Sequence, residues 1–129
     1  MESSVEAAKA FFDEFVEAFA SFDGAVIAQR YQAPYLARHA DGTTDVFDFI
    51  DDIAGYFQRI VDGYRERGCS SCRYRAIEVE AIGTDTILGT VTWELLRGDG
   101  SVLATWREAY ALSLAENRLK AFASIDHAS

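Results

Sequence analysis

The 129-residue sequence predicts an α+β domain in which helices come first and an antiparallel meander closes the chain, in the order α-α-β-β-α-β-β-β-β. Three observations predict it. Two stretches, 5–22 and 50–64, carry apolar residues at three- and four-residue spacing, the helical period. Asp41-Gly42, between them, is a tight-turn dipeptide. After Gly68 the period falls to two, and turn residues recur at 83–85, 98–100 and 116–117, which cuts the rest of the chain into four strands.

Each element has its own signal. Ser3-Ser4-Val5-Glu6 is a Ser-x-x-Glu capping box that starts the first helix at about residue 4. Val5, Ala8, Phe12, Phe15, Phe19 and Phe22 form its stripe and Phe11 widens it, so an aromatic face meets the core. Asp23-Gly24 ends this helix, and Asp23 caps a second, short one running to about Tyr31. Pro34 lacks a donor and disfavours helix at Ala33, so residues 35–39 read as a short strand and 43–46 as its partial return. The long third helix runs from about 48 to 67, with Ile50, Ile53, Phe57, Ile60, Val61 and Tyr64 on one face. Asp48, Asp51 and Asp52 in its first turns and Arg65 and Arg67 in its last suit the helix dipole, and Gly68 stops it. Strands follow at 73–82, 86–97, 102–114 and 119–126. No linker, repeat or low-complexity run divides the chain, so residues 1–129 read as one domain.

The register of the meander can be judged by how it sorts side chains. With Asp99-Gly100 as a two-residue loop, Gly98 faces Ser101 and Trp93 faces Trp106. One face then carries Val91, Trp93, Leu95, Trp106, Glu108, Tyr110 and Leu112 and belongs against the helices. The other carries Thr90, Thr92, Glu94, Thr105, Arg107, Ala109 and Ala111, fit for solvent or a partner subunit. With Glu116-Asn117 as a second two-residue loop, Leu119, Ala121, Ala123 and Ile125 join the apolar face. His127 then lies opposite Trp106, and Arg107 meets Asp126 on the polar face. The same rule fails at Thr84-Asp85, where it would put Glu78 and Glu80 inside and Ile77 and Val79 outside. A bulge or a longer loop is expected there.

This register sets Glu108 on an aromatic face, near His127 and both tryptophans. Burial there raises a carboxyl pKa and suits it to acid or base work near neutral pH. Glu108 is therefore the candidate catalytic group, His127 a second proton-transfer or hydrogen-bonding group, and Trp93, Trp106 and Tyr110 the walls of a pocket. The competing reading pairs Glu108 with an arginine or tyrosine of the helical layer, as an anchor for the sheet. A one-residue slip would turn it to solvent. Tyr31 and Tyr35, which flank Pro34, and His39 are further candidates to touch a ligand. Their plainer roles are aromatic core for the tyrosines and a surface or dimer contact for His39.

Composition removes several classes. The net charge of −9, from 21 acidic and 12 basic residues, repels phosphate backbones, so no nucleic-acid partner is expected. Arg65, Arg67, Arg73 and Arg75 read as helix-end and exposed-strand charges before they read as an anion patch. The first residues lack an apolar leader and acids interrupt every apolar stretch, so a cytoplasmic setting without membrane contact is expected. Cys69-Ser70-Ser71-Cys72 follows a helix and precedes a strand, the reverse of a thioredoxin-type motif, and only His39 and His127 could complete a zinc site. The cysteines read as a loop pair open to oxidation, and no metal is expected. The carboxylates Asp45, Asp48, Asp51 and Asp52 read as helix capping. There is no glycine-rich phosphate loop, dinucleotide fingerprint or Gly-x-Ser-x-Gly elbow, hence no expected cofactor.

The element order, the Phe-rich first helix, Ala40-Asp41-Gly42 before the long helix, and Trp-Arg-Glu-Ala-Tyr-Ala-Leu at 106–112 resemble the nuclear transport factor 2-like superfamily, in particular its SnoaL-like branch. Asn117-Arg118-Leu119 departs from the Gly-x-Trp that many relatives carry at the last strand. The resemblance implies a cone: a curved, mixed sheet wrapped over three helices, enclosing an apolar pocket, and a homodimer through the sheet. It implies a small apolar ligand, with acid–base chemistry of isomerase, cyclase or dehydratase type on a carbonyl or hydroxyl compound. A non-catalytic dimeric interaction module is the alternative, because a shared fold does not carry an activity with it.

Overall fold

The computed structural model of the protein describes residues 3–128. The leader-free reading of the first residues begins at Met1 and Glu2, which lie outside them, as does Ser129. The helices are α1 (Ser4–Ala20), α2 (Gly24–Ala28) and α3 (Ile50–Glu66). The strands are β1 (Tyr31–Arg38), β2 (Thr44–Phe47), β3 (Cys69–Ile82), β4 (Thr86–Arg97), β5 (Val102–Ala115) and β6 (Arg118–Asp126). They form one six-stranded sheet in the order β2-β1-β6-β5-β4-β3. β1 and β6 run parallel and every other pair antiparallel, so the predicted α+β class, element order and mixed sheet all hold.

The helices start and sit as their sequences dictate. Ser3 Oγ accepts from the Glu6 backbone N–H at 3.1 Å, the first half of a capping box. Phe11, Phe12, Phe15 and Phe19 are buried along α1. Phe12 meets Trp93 and Tyr110 edge-on, with ring centroids 6.0 and 5.4 Å away. Gly89 of β4 leaves room for this ring, since a Cβ there would stand 3.1 Å from Phe12. Asp23 Oδ1 caps α2 through Ala25 N–H at 2.9 Å. Gly24 lets α2 touch α3 backbone to backbone; a Cβ would lie 2.2 Å from the Ala54 carbonyl oxygen.

Several boundaries differ from expectation for physical reasons. α2 ends at Ala28, and Tyr31 opens β1 rather than closing the helix, because the Arg30 carbonyl accepts from Ala121 N–H of β6 at 2.9 Å. Phe49, not Asp48, is the N-cap of α3, with no side-chain cap bond. β3 begins at Cys69, so the two cysteines stand in a strand and not a loop; both are free and buried. An extra residue at Ser70 lets Cys69 pair with Arg97 and Ser71 with Leu96.

The meander register is decided by three further bulges. Trp93 pairs with Trp106 as predicted, yet the loop is one residue longer than two, with Arg97 N–H bonded to Ser101 O. An extra residue at Leu103 restores the alignment. Gly83-Thr84-Asp85 is the longer loop expected between β3 and β4, so Val79 faces Gly89 on the inner side. The bulge beyond it places Ala76 at φ 54, and Arg107 donates to the Ala76 carbonyl and to Glu78 at 2.9 and 2.7 Å. The third bulge, at Phe122 of β6, decides what faces the interior beside Glu108.

Candidate functional site

A cavity of about 190 Å³ lies between α3 and the inner face of the sheet. β5 contributes Trp106, Glu108 and Tyr110, alternate residues of one strand and so on one face. α3 covers them with Tyr56, Phe57 and Tyr64. β1 supplies Tyr31 and Tyr35. The Phe122 bulge advances β6 by one residue, pairing Ser124 with Tyr110 and Asp126 with Glu108. Ser124 and Asp126 therefore enter the cavity wall.

The expected partner of Glu108 is corrected by that bulge. His127 does not lie opposite Trp106; its backbone N–H bonds the Arg107 carbonyl at 2.9 Å, and the residue is exposed, away from the cavity. Arg107 does not meet Asp126 either, being held on the outer face by Ala76, Glu78 and Thr92. Ala123 and Ile125, placed inside by an unbroken register, pair with Ala111 and Ala109 on the outer face. The second ionisable group beside Glu108 is thus a carboxyl, not an imidazole.

Glu108 is 9% exposed. Its Oε1 accepts from Trp106 Nε1–H at 2.9 Å. Trp93 Nε1–H donates to the Tyr110 hydroxyl at 2.7 Å, so that hydroxyl is an acceptor here. Asp126 stands across from Glu108 on the neighbouring strand, and both carboxyls line the cavity. Burial, then the negative charge of Asp126, push the Glu108 pKa up to about 8; the Trp106 and Tyr110 donors pull against both. Glu108 is accordingly a protonated acid at neutral pH. No arginine or lysine pairs with either carboxyl among the described residues, so the anchoring ion pair is not the role of Glu108.

The tyrosines register the same field. Burial first, and then the Glu108 charge, raise Tyr35 well beyond the usual phenol range and Tyr64 to about 12. Tyr56 is raised by burial and by Asp126. All stay neutral and serve as hydrogen-bonding groups. Tyr35 shares a 2.5 Å hydrogen bond with Ser124 Oγ. Tyr31 stacks on Phe57, centroids 4.7 Å apart.

Every other predicted wall residue lines the cavity: Trp93, Trp106, Tyr110, Tyr31, Tyr35 and His39. His39 is partly exposed, with Nε2 2.8 Å from Asp45 Oδ2. Cys72 also borders the cavity, and burial pushes its thiol up to about 12, an inert side chain at neutral pH. Sequence reasoning missed Asp126, Ser124 and Tyr56. Tyr56 carried a signal, since it lies beside Phe57 on the apolar edge of α3. The other two depend on the bulge.

The family described as NTF2-like protein (DUF6841) matches residues 4–129. The chain belongs to this family. Solved NTF2-like folds align with nearly all of the domain. An NTF2-like protein of unknown function from Shewanella oneidensis MR-1 has a TM-score of 0.75 at 12% identity, covering 97% of this chain and 99% of that one. The yeast UBP3-associated protein BRE5 has a TM-score of 0.76 at 16% identity, with 100% of both chains covered. Aln2 from a Streptomyces species has a TM-score of 0.75 at 16% identity, covering 94% of this chain and 87% of that one. At these identities the likeness is one of fold. No curated protein matches the chain. No helix of the NTF2-like domain, among the described residues, is long and apolar enough to cross a membrane.

Proposed function

We propose that this NTF2-like domain binds a small organic molecule in the α3 cavity and moves a proton on or off it with the Glu108–Asp126 pair. The supporting observation is a pair of carboxyls, Glu108 and Asp126, set opposite each other on β5 and β6 inside an aromatic cavity. A buried acid can donate to a carbonyl or hydroxyl oxygen where charge develops. A neighbouring carboxylate can take a proton from carbon or oxygen. Glu108 fits the donor, Asp126 the acceptor, and Tyr35 and Tyr56 the groups that orient the ligand.

The test is exchange of α-protons into D₂O for a small cyclic ketone such as cyclohexanone. The wild type should accelerate exchange by about tenfold or more over Glu108→Gln, the usual scale for a positioned acid or base being roughly 10²–10⁴. Equal rates for the two proteins would remove the acid–base reading.

A second reading is a non-catalytic interaction module that dimerises through the sheet. It is favoured by the outer face, where Val46, Leu36 and Ile125 are exposed side by side at 59, 39 and 46%. BRE5, of the same fold, is described by its association with UBP3. A homodimer should then appear by sedimentation and be lost in Ile125→Asp.

A further inference from the structure

The cavity has an uneven charge. Its carboxyls, Glu108 and Asp126, line the sheet side. Across from them α3 presents the rings of Tyr56 and Tyr64, both close enough to feel the two acids. The wall groups able to carry positive charge are Arg38 and His39, and both are engaged by β2. Arg38 donates to Thr44 Oγ1 at 3.0 Å and His39 contacts Asp45 at 2.8 Å. Glu108 is over nine-tenths buried, its polar contacts bring no counter-charge, and it faces open space.

We infer that the ligand of this cavity is a cation, a small amine whose ammonium group sits between the Asp126 and Glu108 carboxyls and the faces of Tyr56 and Tyr64. The inference rests on the ligand-binding reading above and names the substrate class. Ionisation of Glu108 is strongly unfavourable until a counter-charge reaches it, and the arginine of the wall, Arg38, is exposed and turned to Thr44. An ammonium supplies that charge and donates hydrogen bonds to both carboxyls. The aromatic faces opposite stabilise the same cation through their ring quadrupoles. A neutral ligand gains neither effect, and an anion meets two acids. The volume of about 190 Å³ sets the size. A dry cavity of about 150 Å³ holds benzene, so one ring with a short amine-bearing chain fits.

Three probes of equal size and different charge test this by titration calorimetry at pH 7: 2-phenylethylamine, 2-phenylethanol and phenylacetate. The amine should bind about tenfold or more tightly than the alcohol, and phenylacetate should not bind. Asp126 is half-buried, so Asp126→Asn keeps the fold; it should bring the amine down to the affinity of the alcohol and leave the alcohol unchanged. An alcohol bound as tightly as the amine by the wild type overturns the cationic ligand and leaves the ligand-binding reading standing. An amine preference untouched by Asp126→Asn overturns the assignment to this site. Failure of all three probes to bind overturns both readings.

Discussion

The two halves of the interior use the same aromatic side chains and put them to different use. Under α1, Phe11, Phe12, Trp93 and Tyr110 meet ring to ring, and Gly89 gives up its own side chain so that Phe12 can seat. Under α3, Tyr31, Tyr35, Tyr56, Phe57 and Tyr64 stand around a space of about 190 Å³. The difference lies in the polar atoms. The α1 half contains one internal hydrogen bond between rings, from Trp93 to Tyr110. The α3 half gathers Glu108, Asp126, Ser124 and four phenols. Polar groups that need partners hold a cavity open, whereas rings that need only contact fill it.

On that contrast, a truncation in the filled half is the most costly change. Phe12→Ala should destabilise by about 3–5 kcal/mol, the range for losing a buried phenyl ring with its cavity, measured by urea unfolding. A loss below about 1 kcal/mol would mean that the α1 half is not tightly packed.

The next effect is electrostatic and belongs to the open half. The folded-state pKa of Glu108, about 8, lies above its ordinary value of 4.5, so the fold binds this proton more tightly than the unfolded chain does. The stability linked to that proton is present in full below 4.5 and is lost as the pH rises through about 8. Glu108→Gln cannot ionise. Relative to the wild type it should therefore gain stability across that window by a few kcal/mol, since each tenfold difference in proton affinity is worth about 1.4 kcal/mol. Denaturant midpoints at pH 5 and pH 8.5 measure it. Parallel pH profiles for the two proteins would show that Glu108 is well solvated.

A smaller change isolates one donor. Trp106→Phe removes the N–H that holds the Glu108 anion, so Glu108 should titrate higher still, with a stability cost of about 1 kcal/mol where it is ionised. The least effect is expected from Tyr56→Phe. Its hydroxyl borders open space, and stability should change by under about 0.5 kcal/mol while ligand affinity falls.

Much of the fold was legible because its signals are local. The capping box at Ser3, the Asp23 cap, the glycine stop at Gly68 and the two helical stripes each act within a few residues. The sheet is harder, since a bulge leaves no mark in composition. The Trp93–Trp106 pairing was reached through a two-residue loop that the protein does not use; the longer loop and the extra residue at Leu103 cancel. At β6 nothing cancels the extra residue at Phe122, and the predicted His127 gives place to Asp126. Glu108 itself was legible, as an acid among tryptophans on a strand whose alternation was intact up to that point. Its partner lay beyond the bulge and was not. The cysteines were misjudged as a loop pair because the bulge at Ser70, which carries β3 back to Cys69, is equally silent.

The most direct measurement is the titration of the Glu108 carboxyl, followed by its ¹³C resonance in selectively labelled protein. A midpoint near pH 8 is predicted. A midpoint near the ordinary value of 4.5 would contradict the account, because it would place Glu108 in water and leave no protonated acid in the cavity at neutral pH.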